Sequence, residues 1–123
     1  MAHILIIDDD HSVLSYCNAC LFDTHMLQTA LSANEGLSKL VDHAIDLIIT
    51  DIIMPERDGL EVIQEVKERY PHIPLIAMSG GLDTMPTDVL NAARAFGAIE
   101  TLVKPFTQDL LHETIDRVLG DSD

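Results

Sequence analysis

The chain has 123 residues, the size of a single domain, and its 47% hydrophobic and 23% charged composition excludes a disordered chain. No apolar run approaches the roughly 20 residues that a bilayer-spanning helix needs. The N-terminus lacks a basic region, apolar stretch and cleavage site in succession, so a cytoplasmic protein is expected. Twenty-one acids against seven bases give a formal charge of −14, which repels phosphate backbones, argues against direct nucleic-acid binding and suits cations and basic patches on protein partners.

Five apolar, β-branched runs alternate with helical patterns. The first, 3–8 (HILIID), leads into a stripe of Val13, Cys17, Cys20 and Leu21. A weaker run at 26–30 precedes a short helical segment at 34–43, carrying only Leu37, Leu40 and Val41. The run 46–51 (DLIITD) precedes Leu60, Ile63, Val66 and Tyr70 at spacings of three and four. The run 73–78 precedes Val89, Ala92, Ala93 and Phe96, and the run 99–103 precedes Leu111, Ile115, Val118 and Leu119. Pro71, Gly97 and Gly120 supply helix stops. The first, third and fourth runs are almost continuously apolar, as strands covered on both faces should be. Strand ends expected at 8, 30, 51, 79 and 104 are spaced by 22, 21, 28 and 25 residues, each room for one helix and two short loops. The pattern predicts an α/β domain, (βα)5, with a doubly wound, five-stranded parallel sheet.

In such sheets ligands bind beyond the carboxyl ends of the strands. The residues expected there are Asp8-Asp9-Asp10, Asp51, Ser79-Gly80-Gly81 and Lys104-Pro105. Crowded carboxylates stay ionised together when a cation joins them, and Mg²⁺ prefers hard oxygen ligands completed by water and phosphate. A phosphoryl group could then be passed to one carboxylate while metal, lysine and hydroxyl share its oxygens. Asp10 and Asp58 have the simpler reading of helix N-caps. Cys17 and Cys20 form a C-x-x-C pattern, but well inside a helix on its apolar stripe, so core packing is expected and no disulfide framework. The six histidines (3, 11, 25, 43, 72, 112) show no metal-ligand spacing.

The motifs Ile6-Ile7-Asp8-Asp9-Asp10, the 50–59 segment TDIIMPERDG, Met78-Ser79-Gly80 and Val103-Lys104-Pro105-Phe106 together resemble the receiver domains of two-component response regulators, over residues 3–119. The resemblance implies a flavodoxin-like sheet of strand order 2-1-3-4-5 and one receiver domain over 1–123 with no output domain. It implies Asp51 as phosphoacceptor. Mg²⁺ would be held by Asp9, Asp51 and the Ile53 carbonyl, with Asp8 acting through water. Ser79 would hydrogen-bond the phosphoryl group, Lys104 would pair with it, and the Lys104–Pro105 peptide would be cis. The implied partners are a sensor histidine kinase or histidine phosphotransfer protein, and a downstream effector or output domain. The chain would be a switch that assists its own phosphorylation and dephosphorylation, with no membrane association.

Two departures stand out. Thr101 occupies the position where the family usually has an aromatic switch residue, and the 80–86 stretch is longer than common, so any signal is expected to run through that stretch and the next helix. Ile53 and Gly81 offer nothing to orient an attacking water, which predicts a long-lived phospho-form. Two other readings compete. The run from Ile6 to Ser12 approximates the nucleophile loop of haloacid-dehalogenase-like phosphatases, with Asp8 as nucleophile, although the late acidic pair of that family is missing. A degenerate receiver serving only as an interaction module is the other.

Overall fold

A computed structural model describes residues 1–53, 59–80 and 87–120. Five strands alternate with five helices: β1 (His3–Ile7), α1 (His11–Leu21), β2 (Met26–Ala30), α2 (Ala33–Asp42), β3 (Leu47–Asp51), α3 (Gly59–Arg69), β4 (Leu75–Ser79), α4 (Thr87–Phe96), β5 (Glu100–Val103) and α5 (Gln108–Leu119). The strands form one parallel sheet in the order β2-β1-β3-β4-β5, as the resemblance implies.

Side chains alternate across this sheet and each face has its own core. Leu5, Ile7, Ile48, Leu75 and Ala77 pack with Leu40 of α2, Val62, Ile63 and Val66 of α3, and Ala93 of α4. Ile4, Ile6, Leu47, Ile49, Ile76 and Met78 pack on the other face with Leu14, Cys17 and Cys20 of α1 and with Leu111 and Ile115 of α5. Covered on both sides, β3 and β4 are buried at every position, which explains their unbroken apolar sequence. The edge strands β2 and β5 are only partly buried, and their sequences are correspondingly mixed. No described helix is long and apolar enough to cross a membrane.

Local chemistry sets the ends of these elements. Asp10 accepts from the Ser12 amide at 2.9 Å and caps α1 as expected, while Ser32 and Thr107 cap α2 and α5. The expected cap at Asp58 lies outside the described residues. Gly97, which ends α4, sits at φ 134°, where an L side chain is strained. Both free cysteines are buried in the core, and burial, with Cys20 beside it, pushes the Cys17 thiol up to about 12, so it stays protonated.

Several expectations shift by a residue or a face. β1 stops at Ile7 and β3 starts at Leu47, although the Asp8 and Asp46 amides still donate to the Ala30 and His3 carbonyls of the neighbouring strands. β4 begins after Pro74, which has no amide to donate. Ile99 is exposed and precedes β5. Leu14 is more deeply placed on α1 than Val13, and Val41 and Phe96 point outward. The buried side of α2 is Ala33, Gly36 and Leu40, which small residues conceal from a count of large apolar ones.

Strand order reverses between β1 and β3, since β2 lies to one side of this pair and β4 and β5 to the other. A crevice opens at such a reversal beyond the strand C-termini. Asp8 follows β1 and Asp51 ends β3, so the topology brings these two carboxylates to its rim.

Candidate phosphoryl and metal site

The acids predicted to converge do so. One carboxylate oxygen each from Asp8, Asp9 and Asp51 lies within 4.8 Å of the others. Asp8 is fully buried, Asp51 almost so and Asp9 exposed, giving a site with two inner acids and one at the solvent. Opposite them Lys104, just beyond β5, donates from Nζ to Asp8 Oδ2 at 2.9 Å. Its distance to Asp51 Oδ1 is 3.5 Å, a charge contact too long to count as a well-formed hydrogen bond. The other Asp8 oxygen accepts from the Asp10 amide at 2.9 Å. Ser79 ends β4, buried on the same rim, and the Lys104 amide donates to its carbonyl at 3.1 Å. The Lys104–Pro105 peptide is cis.

The electrostatics separate the two inner acids. Asp8 uses both oxygens on donors. Asp51 pays for its burial. Desolvation, together with repulsion from Asp8 and Asp9, pushes its carboxyl up to about 6 from 3.8, against the opposing pull of Lys104. Burial works against the Lys104 charge, yet the hydrogen bond to Asp8 and the charges of Asp51 and Asp8 outweigh it and hold the ammonium above its ordinary value. Exposed Asp10 is held low by its hydrogen bonds to the Ser12 hydroxyl and amide.

Among the described residues, the buried side-chain polar atoms without a hydrogen-bond partner are Asp51 Oδ1 and Ser79 Oγ. Buried polar atoms are rarely orphaned, and leaving one so costs about 1–3 kcal/mol. Here both orphans sit on the rim, which fits a site whose remaining partners come from outside the chain. Three clustered carboxylates are hard oxygen donors, the set that Mg²⁺ prefers.

Of the other predicted positions, Ile53 follows the buried Ile52 at the end of β3, and its side chain is exposed. The 80–86 stretch, apart from Gly80, and the 54–58 part of the 50–59 motif lie outside the described residues. Thr101 pairs with Ala77 in the sheet and meets Arg94 of α4, whose Nη2 is 3.4 Å from Thr101 Oγ1. The Arg94 contact was not legible from the sequence, and neither was the contact of Tyr16 with Phe106: its hydroxyl donates to the Phe106 carbonyl at 2.8 Å across 90 residues of chain. Both join separate elements and leave no spacing signal.

Comparisons with known proteins agree with this fold. The family described as response regulator receiver domain matches residues 4–116. The transcriptional regulatory protein GlrR of Escherichia coli (strain K12) is 34% identical over 122 residues, covering 98% of this chain and 27% of that protein. The chain therefore spans about a quarter of the length of this relative. Among solved structures, a receiver domain protein of Clostridium thermocellum superposes with a TM-score of 0.88 at 33% identity, covering 99% of this chain and 97% of that one. The Vibrio cholerae chemotaxis protein CheY4 superposes at 0.87 and 32% identity, covering 97% and 99%.

Proposed function

This chain belongs to the response regulator receiver family, and on that footing we propose that Asp51 accepts a phosphoryl group from a phosphohistidine of a partner kinase or phosphotransfer protein in the cytoplasm. The single observation that supports this most is the unsatisfied, buried Oδ1 of Asp51 facing Lys104.

The carboxylate of Asp51 attacks phosphorus, the P–N bond to the donor imidazole breaks, and the departing nitrogen keeps the bonding electrons and takes a proton. Phosphoryl transfer proceeds through a loose transition state, so positioning and charge neutralisation do most of the work. Lys104 holds a positive charge beside the accepting oxygen, and the Ser79 hydroxyl has a donor to give the incoming phosphoryl oxygens. Asp9 and Asp51, with the Ile53 carbonyl, would hold Mg²⁺, and Asp8 would act through water. When bound, the ion supplies charge neutralisation to the phosphoryl oxygens. The product adds charge and strong acceptor atoms to a packed rim and biases a surface that an effector or output domain reads. The whole of 1–123 acts as one receiver module in this reading, a switch rather than a turnover enzyme, and its phospho-form is long-lived.

The phosphatase reading would make Asp8 the nucleophile. Its full burial and two occupied oxygens argue against that role, whereas Asp51 keeps an oxygen free. A degenerate receiver would have lost part of the set, and the acid pair, Asp51, Ser79 and Lys104 are all present. The test is labelling of purified protein by acetyl phosphate. Incorporation that requires Mg²⁺ and disappears in Asp51→Asn is expected; equal labelling of the variant would overturn the assignment.

A further inference from the structure

The two segments that bring opposite charges to the rim are tied together at a second place. Asp8 and Asp9 lead into α1, and Lys104 leads through Pro105 to Phe106 and α5. Tyr16 of α1 reaches across, its hydroxyl donating to the Phe106 carbonyl at 2.8 Å. Its ring meets the Phe106 ring edge to face, with centroids 6.0 Å apart. Phe106 is itself anchored in the core that α1 and α5 share. Tyr16, 41% exposed, also lines a groove of about 560 Å³ with Asp10, Val13, Lys104 and Pro105. The backbone that delivers Lys104 is thus held at Phe106 by a side chain from the helix that the acids open.

We infer that Tyr16 is a positioning residue for Lys104 in phosphoryl transfer, acting through the Phe106 carbonyl to keep the ammonium between Asp8 and Asp51. The inference rests on the phosphoacceptor reading of Asp51. Lys104 must serve Asp8 before transfer and the new phosphoryl oxygens during it, and its distances of 2.9 and 3.5 Å leave it close to both. A main chain free to drift would spread those distances, and displacements on the order of 1 Å are costly when positioning supplies the catalysis. The acids depend on β1 and β3, so the clamp should leave cation binding alone.

The test uses Tyr16→Phe, which deletes the hydroxyl and keeps the ring, with initial rates of labelling by acetyl phosphate and calorimetric titration of Mg²⁺. The expected result is a labelling rate lower by roughly three- to tenfold, the size expected for loss of one hydrogen bond, with the Mg²⁺ Kd within about twofold of wild type. In a Lys104→Ala background the same substitution should change the rate no further. An unchanged rate, or an equal fold loss in both backgrounds, would overturn the inference. The lysine ammonium groups give a second readout by proton–nitrogen NMR. A Lys104 signal in slow exchange with water should broaden in Tyr16→Phe, and its persistence unchanged would equally overturn the inference. Absence of any labelling in wild type would instead overturn the phosphoacceptor reading, and the ammonium signal would still decide the role of Tyr16.

Discussion

Lys104 donates to Asp8 at 2.9 Å and stands 3.5 Å from Asp51. Fully buried Asp8, and not Asp51, takes the lysine's hydrogen bond. Lys104 therefore has a structural task before it has a chemical one.

Removing that lysine should expose the structural task. Lys104→Ala takes the cationic partner from Asp8, which is fully buried, a change that costs about 3–5 kcal/mol for a buried pair. Urea unfolding without divalent ions should show a loss of this size, and Mg²⁺ should recover part of it by supplying another positive charge to the acids. A loss that Mg²⁺ leaves unchanged would mean that the cation does not reach this cluster.

Asp51 should show the opposite sign. Its carboxyl is raised to about 6 from 3.8 by burial and by its acidic neighbours, so the folded state binds the proton more tightly than the unfolded state. Its contribution is present below about pH 4 and lost as pH rises through about 6. The neutral amide in Asp51→Asn avoids that loss. The metal-free variant should be more stable than wild type at pH 7 by about 1–3 kcal/mol, with the difference shrinking towards pH 4. Unfolding midpoints of both proteins at the two pH values measure this directly.

Ser79 should trade stability against chemistry. Its buried hydroxyl has no partner among the described residues, so Ser79→Ala removes a desolvated polar group at little cost. The expected outcome is unchanged or slightly raised thermal stability, by up to about 1 kcal/mol, with labelling slowed by roughly tenfold, the size of one lost hydrogen bond, if the hydroxyl serves the phosphoryl group as proposed. A marked fall in melting temperature would show that the hydroxyl has a structural partner after all.

Gly59 packs directly on the backbone just beyond β3. Its amide donates to the Ile52 carbonyl at 2.8 Å, and an added Cβ would run into the backbone of Ile52, the residue after Asp51. Gly59→Ala should cost about 1–3 kcal/mol and weaken Mg²⁺ binding, because the displaced backbone adjoins Asp51. Calorimetry alongside unfolding separates the two effects.

How much of this was readable from the sequence follows from range. The strands β3 and β4 announce themselves because two-sided burial requires unbroken apolar residues, and the Asp10 cap is a matter of neighbouring atoms. The meeting of Asp8, Asp51 and Lys104 was legible because parallel α/β sheets gather strand ends on one rim. Helix faces were less clear: Val41 and Phe96 look like core and are exposed, while Ala33 and Gly36 are small and buried. The Tyr16–Phe106 and Arg94–Thr101 contacts join different elements, and no local pattern marks them. That Asp8, not Asp51, holds the lysine depends on ångström-scale geometry that motif spacing does not encode.

The most direct measurement is to locate the phosphoryl group. Protein treated with acetyl phosphate and Mg²⁺ is reduced with borohydride, which converts an acyl phosphate to an alcohol, and the modified residue is mapped by peptide mass spectrometry. The account predicts conversion at Asp51 alone, with Asp8 and Asp9 intact. Conversion at Asp8, or phosphorylation of a histidine or serine with Asp51 untouched, would contradict it.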